Sequence, residues 1–581
     1  MADHHVPASF GADEAVVATG LRGQRAHHQQ FEHQDRLERR LHVVADGVWC
    51  LVGNGLSNQT FVEGPEGLVV VDTGESVEEM TAALREVRAH TSAPTVAVVY
   101  THFHYCNGTQ AVFDEAGGPV PVWSHEGVET NLRSRSIEMA PTAGRGLIQQ
   151  FSMLLPEDGP DGRTQVGLGL EYRRAEHAPF THGFVPPSNK VSGPITTTLA
   201  GLQVELVPAP SDADDNLNVF FPDLDLCVNN LAWPALFNIF PIRGEPFRDP
   251  QVLLAGLDGI LEVSPEHLVC AHGPPLSGRA AVVEAVTTAR DAIQFLWDQT
   301  VRGVNRGLTH GELVEFVQLP ESFEDSYFTQ QNYGLVEHHV RQIHNGLVGW
   351  FDGFEASLFP LPTAERCRRL IKGFGGRDVV ASHAAEARDN NDLRWALELA
   401  TWPVRSDGGT DVERQLLGSV LRAVGQRTTS ANVRGWCLTR ARELEGLVDV
   451  DRYRTHRFGR GQVLKLNPAD TIAGLRVLVE PERAKRLDEH LRWRVTGGDE
   501  EVVCGLQIRN QVAVPTDGSG AEIELSLGHE VLADVLSGRR TVHEALNDGS
   551  ATIEGDYERV IRVLSCFEVP TLWGLGSADD S

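Results

Sequence analysis

The sequence predicts an α/β region, then an all-helical region, then a small α+β domain. Three changes of pattern predict this. Short apolar runs separated by Gly and Asn begin near residue 41. Apolar residues three and four apart take over after residue 280, and strand-like alternation returns near residue 465. At 581 residues the chain has room for about three or four domains of roughly 150 residues each.

The elements follow in order. Residues 1–40 are polar and rich in His, Gln and Arg, and are expected to form a weakly ordered or helical arm. Val48–Val52, Gln59–Val62 and Leu68–Val71 read as hairpin strands. Val77–His90 reads as a helix and Thr95–Tyr100 as a strand running into Thr101-His102-Phe103-His104. Residues 135–195 are Gly- and Pro-rich, the composition of a lid or binding wall. Strands resume at Leu202–Val207, Val219–Phe221 and Val269–His272. Val282, Val286, Ala289, Ile293 and Leu296 form a helical stripe. Helices are expected at His338–Trp350, Ala364–Ile371, Asp392–Ala400 and Val412–Val424. The last region shows strands at Leu475–Val479, Trp493–Val495, Val502–Ile508, Val512–Val514, Ile523–Leu527 and Thr552–Gly555, with helices at Glu530–Leu536 and Thr541–Asn547.

Composition narrows the function. Hydrophobic residues make up 41% and charged residues 23%, which excludes a collagen-like or globally disordered chain. Acidic residues outnumber basic ones 80 to 51, for a net charge of −29. No Lys/Arg block offsets this, so nucleic acid is not an expected partner. MADHHVPASFGADEAVV lacks the charged head and apolar stretch of a secretory signal. No apolar run reaches the ~18 residues of a membrane span. Eight scattered cysteines without a CxxC pair fit reduced thiols, and a cytoplasmic location is expected.

His102 and His104 at a strand end can face one cavity, since alternate strand residues point the same way. Neutral imidazole is a common zinc ligand; the alternative is a hydrogen-bonded pair in a buried turn. Asp212, Asp214 and Asp215 follow Pro210, either as ligands or as a solvated acidic loop. His272 precedes Gly273-Pro274-Pro275, as a ligand or a structural histidine. Each feature follows an expected strand, where α/β active sites gather.

Four segments, YTHFHYCNGT, PAPSDADDNLNVFFPD, NIFPIRGEPFRDP and CAHGPPLSG, resemble the alkylsulfatases of the metallo-β-lactamase fold. RDAIQFLWDQTVRGVNRGLT and YGLVEHHVRQIHNGLVGWFDG resemble that family's dimerisation domain, and the last hundred residues its sterol-carrier-like C-terminal domain. The resemblance implies an αββα sandwich over 41–282, a helical dimerisation domain over 283–445, a linker over 446–464 and a sterol-carrier-like α+β domain over 465–575. It implies hydrolysis of alkyl sulfate esters, an anionic amphiphile as substrate, and a homodimer.

The family motif, His-x-His-x-Asp-His, then two glutamates, then a His before Gly, carries over in part. His102, His104, Asp212 and His272 match ligand positions. Cys106 stands where Asp belongs, Asn107 where His belongs, and Asn229 where the second glutamate belongs. Cys106 is kept as a candidate metal ligand, because a metal lowers a thiol's pKa; the alternative is an inert buried thiol. One zinc is expected, with an atypical second as the alternative. Asp215 and His272 are the candidate catalytic groups. Asn238 and Arg243 are the candidate sulfate-binding groups, because a guanidinium matches sulfate oxygens and stays charged; Arg243 could instead pair with Glu245 or Asp249. Leu475, Val477, Leu506, Ile508, Ile523 and Leu525 are candidates for an apolar cavity or for ordinary core. Three readings stay open: an alkylsulfatase, a hydrolase of the same fold moved to another substrate, and a non-catalytic lipid-binding dimer.

Overall fold

The computed structural model describes residues 10, 13–134, 138–244, 247–453, 458–497 and 501–574. Glu245 and most of residues 1–12 lie outside them. Contacts divide the chain into two units, Met1–Asn131 with Arg145–Val450, and Leu132–Gly144 with Asp451–Ser581.

In the first unit, seven strands lie in sequence order in one sheet, from Arg40–Ala45 to Asn189–Val191. The first three pairings are antiparallel and the last three parallel. A second sheet of six strands runs from Ile195–Leu199 to Leu276–Ser277. The period of two in the strand sequences places the layers. Val48, Cys50, Val52, Val69 and Val71 of the first sheet pack with Leu202, Val204, Leu206 and Val219 of the second, in one core between the sheets. Phe220, which alternates with Val219, faces the opposite way, toward the helices Pro250–Val263 and Arg279–Asn305. Helices Val77–Val87 and Thr109–Ala116 pack together and onto strands of the first sheet. Two sheets with helices outside each make the expected αββα sandwich.

The helical stripe from Val282 becomes the Arg279–Asn305 helix, which buries Val282, Val286, Ala289, Ile293 and Leu296. Further helices run over Val336–Val348, Thr363–Phe374, Arg377–Asp389, Leu393–Asp407, Asp411–Arg427 and Ala431–Leu444. Thr410 and Glu413 close a capping box at the start of one of them, satisfying two otherwise orphaned backbone donors. The N-terminal arm is more ordered than expected: a hairpin pairs Val17–Thr19 with Arg25–His27, and a helix covers His28–Arg36.

The second unit holds a five-stranded sheet, Val512–Thr516, Val502–Arg509, Glu489–Thr496, Ile523–Gly528 and Ala551–Glu554 in spatial order. Leu475–Val479 is a correction. It forms a 3₁₀ helix over Leu475–Leu478, not a strand. Leu475 and Leu478, three apart, both reach the core, as one face of a tight helix allows. Val477 points to solvent. Leu475, Leu506, Ile508, Ile523 and Leu525 belong to the packed core of this unit.

Candidate functional site

The site is built on loops that leave the carboxyl ends of strands in both sheets. The Thr95–Val99 strand ends before the motif, and His102 adopts an extended conformation ahead of a 3₁₀ turn over Phe103–Tyr105. The turn, rather than strand alternation, therefore brings the imidazoles together. Their rings meet edge to face with centroids 5.0 Å apart. The Asp72–Ser76 loop pins the turn: Thr73 N–H donates to the Tyr105 carbonyl (2.8 Å) and Asn107 N–H to the Gly74 carbonyl (3.0 Å). The loops approach so closely that a Cβ at Gly108 would collide with the Thr73 carbonyl.

Asp212 comes from the loop between Leu202–Pro208 and Leu217–Phe221. Its carboxylate lies 3.2 Å from His104 Nδ1 and 3.8 Å from His102 Nε2. Donor atoms of His102, His104 and Asp212 all fall within 4.8 Å of one another. His102 is fully buried, and burial lowers its pKa to about 3, so the ring is neutral. Burial opposes ionisation of Asp212, yet its carboxyl is held well below the usual range. With His102 neutral, the hydrogen bond from His104 and the charge of Arg248 carry that effect.

Groups behind the cluster orient it. Thr101 Oγ donates to Asp72 Oδ2 (2.6 Å), and Thr101 N–H donates to Asp72 Oδ1 (2.7 Å). The Thr101 hydroxyl then accepts from His102 Nδ1 at 2.9 Å. The proton therefore sits on Nδ1, and the Nε2 lone pair faces Asp212. This is the arrangement metal-ligating histidines use. Asp72 holds a left-handed backbone, φ 60°, an uncommon state for a residue other than glycine that recurs at functional sites. Asn230 Nδ2 donates to Asp212 Oδ1 (2.7 Å), and Trp233 Nε1 donates to Asn230 Oδ1 (3.0 Å).

The other candidates lie around this cluster. Asn229, at the position of the second glutamate, turns away from it. Its amide donates to the Val269 carbonyl and accepts from the backbone of Leu231 and Ala232. The buried Cys106 thiol donates to the Phe103 carbonyl (3.1 Å), and burial pushes its pKa well up. His272 Nδ1 donates to the Leu56 carbonyl (2.9 Å), and its Nε2 faces the Tyr105 hydroxyl at 3.4 Å. Burial lowers the His272 pKa to about 4. Asp215 is fully buried, and among the described residues its carboxylate oxygens make no well-formed hydrogen bond, with Asn131 the polar side chain acting on it. Burial raises its pKa to about 6. Asp214 is exposed and accepts from Asn131 (2.6 Å). The structure thus joins His102, His104 and Asp212, and leaves Cys106, Asp215 and His272 outside the three-residue cluster.

Asn238 is buried, and among the described residues its side-chain oxygen has no hydrogen-bond partner. Arg248 Nη1 donates to the Asn238 carbonyl at 3.5 Å. Arg243 N–H donates to Gln150 Oε1 (3.3 Å), and its guanidinium acts electrostatically on Tyr105 and Tyr172. Arg248 acts likewise on His102 and Asp212. Arg248 therefore places positive charge near the cluster, and Arg243 near the adjoining Tyr105, in an acidic chain. An apolar cavity of about 500 Å³ lies elsewhere in this unit, among helices, lined by residues such as Leu335, Leu393, Leu417 and Trp436. The convergent donors, not cavity size, locate the chemistry.

Sequence reasoning missed Asp72, Thr101, Tyr105, Asn230 and Arg248. Asp72 closes an apolar run as Asp-Thr-Gly, a signal that was legible. Tyr105 and Arg248 lie inside segments already singled out. Asn230 is told from Asn229 only by the turn after the Leu226–Asn229 strand.

Residues 309–446 match the family model for alkyl sulfatase dimerisation, and residues 460–573 the model for the alkyl sulfatase C-terminal domain. A linear primary-alkylsulfatase of a Pseudomonas strain is 33% identical over 524 residues, covering 87% of this chain and 98% of that one. An (R)-specific secondary-alkylsulfatase of Pseudomonas is 27% identical, covering 91% of this chain and 81% of that one. The solved structure of the stereoselective inverting sec-alkylsulfatase Pisa1 from Pseudomonas superposes with a TM-score of 0.80 at 24% identity, covering 97% of this chain and 92% of that one.

Proposed function

Because the chain belongs to the alkylsulfatase family, we propose that it hydrolyses alkyl sulfate esters to alcohol and sulfate, with one zinc ion held by His102, His104 and Asp212. The observation that carries this reading is the convergence of those three donors. The donor set fits the metal: two imidazoles and an ionised carboxylate are ordinary zinc ligands, and His102 turns its unprotonated Nε2 toward Asp212, with the Asn230 amide nitrogen 3.4 Å away. A zinc ion held there supplies Lewis acidity.

The chain's own residues do the rest. The reaction adds water across the ester, releasing the alcohol and hydrogen sulfate. Arg243 and Arg248 hold the sulfate oxygens and offset the charge that grows on them as the ester bond breaks. Asn238 offers a buried amide with an unpaired end to the same group. Asn230 keeps Asp212 in place. Asp215, and His272 through the Tyr105 hydroxyl that its Nε2 accepts from, are proposed to handle protons at the leaving and attacking oxygens. Purified protein loaded with zinc is expected to release sulfate from dodecyl sulfate. Metal-loaded protein that releases none across a panel of alkyl chain lengths contradicts the reading. Turnover of a different ester by the same preparation would favour the second reading, a substrate change, which the departures at Cys106, Asn107 and Asn229 motivate.

Arg243→Ala is expected to raise KM for the sulfate ester about tenfold or more, with a smaller change in kcat. A hydrogen bond to a charged group contributes ~1.5–3 kcal/mol, and loss of binding common to substrate and transition state appears in KM. Steady-state kinetics check this; an unchanged KM makes Arg243 structural.

We also propose a homodimer and a cytoplasmic location. The match to the dimerisation model supports the first. So does an exposed apolar stretch after the Val336–Val348 helix that includes Trp350, Phe351, Phe354, Leu358 and Phe359. Apolar patches of this kind mark protein interfaces. Trp350→Glu with Phe359→Glu is expected to convert the dimer to monomer in sedimentation equilibrium; a dimer of unchanged stability places the interface elsewhere. Eight buried, unpaired cysteines support a reducing compartment. Among the described residues no helix is long and apolar enough to cross a membrane.

A further inference from the structure

We propose that the Tyr105 side chain fills the place a second metal ion would need, so that the chain works with one metal per subunit. The inference rests on the metal site proposed above and deepens it. The Tyr105 ring packs edge to face against both His102 and His272, at centroid distances of 5.1 Å and 5.2 Å. Its hydroxyl faces His272 Nε2 at 3.4 Å. Because His272 Nδ1 is committed as donor to the Leu56 carbonyl, Nε2 is the acceptor and the phenol the donor. The lone pair that a second ion would use is thus met by a hydroxyl.

The other donors a second ion would need are committed as well. The Cys106 thiol points at the Phe103 carbonyl. The Asn229 amide serves three backbone groups. Zinc ligands must converge to ~2.0–2.3 Å from the ion. Among the described residues, His102, His104 and Asp212 form the one group of three or more His, Cys, Asp or Glu donors that does converge. A neutral phenol carries none of the charge of a cation. The compensation an anionic substrate needs then comes from Arg243 and Arg248, whose charges act on Tyr105 and on Asp212.

The sequence alone suggests that Cys106→Asp with Asn107→His would raise metal content toward two. The Tyr105 wedge changes that expectation. The test is zinc per chain by elemental analysis after saturation and removal of excess, together with X-ray absorption at the zinc edge. Wild type is expected to hold one equivalent, without the zinc–zinc scattering at ~3.5–4 Å that two-metal sites give. The double variant is expected to stay at one, and the same variant carrying Tyr105→Ala to gain a second. Two equivalents in wild type, or in the double variant with Tyr105 in place, overturn the inference. Zero in wild type instead defeats the metal site proposed under the function, so the two failures are distinct. If the variants do not fold, wild-type stoichiometry and its absorption spectrum decide alone.

Discussion

His104→Ala removes bound zinc and sulfate release together. The residue is one of three donors, and the two that remain, His102 and Asp212, lie 3.8 Å apart. The change also deletes the hydrogen bond that helps keep Asp212 ionised inside the protein. A two-donor site with a weakened carboxylate does not retain the ion through gel filtration. Turnover is expected to fall by at least about three orders of magnitude, because the Lewis acid and its ligand geometry are lost at once. Elemental analysis and sulfate release on the same preparation read both effects. Full metal occupancy in the variant contradicts the ligand assignment, even if activity is lost.

Asp72→Ala is the second large effect, and it acts without touching the metal. Asp72 accepts two hydrogen bonds from Thr101, one from the hydroxyl and one from the backbone. That fixes the hydroxyl as acceptor toward His102 Nδ1. Without the carboxylate, the Thr101 hydroxyl is free to turn and donate to Nδ1. The proton would then sit on Nε2, the atom that faces Asp212. Changes to such supporting groups typically cost ~10–100-fold in metal affinity or activity. Zinc affinity measured by competition with a chelator is expected to weaken by that factor. Thr101→Val should weaken it in the same direction, since it removes the hydroxyl that links the two. Unchanged affinity in both variants would make the Asp72–Thr101 pair a backbone brace only.

The sequence patterns placed the sheets well because the pairing faces bury apolar residues at a period of two. Val48–Val52 appears with the expected bounds, and Leu202–Val207 and Val502–Ile508 each extend by one residue. Helix starts were less legible, because capping side chains set them: Thr541 caps a helix that begins at Val542. Leu475–Val479 misled because a short apolar run fits either a strand or a tight helix. The metal donors were legible as types at strand ends. Their supports were not, because hydrogen bonds such as Thr101 to Asp72 and Asn230 to Asp212 join residues 29 and 18 positions apart. No local spacing announces such pairs. Tyr105 was overlooked for a different reason: a tyrosine beside a ligand reads as core until its ring is seen against both His102 and His272.

The most direct test of the account is a zinc titration of metal-free protein with dodecyl sulfate present, following sulfate release at each addition. The account predicts activity that rises in proportion to zinc and levels off at one equivalent per chain. No sulfate release at one equivalent, or a rise that continues to two, would contradict it.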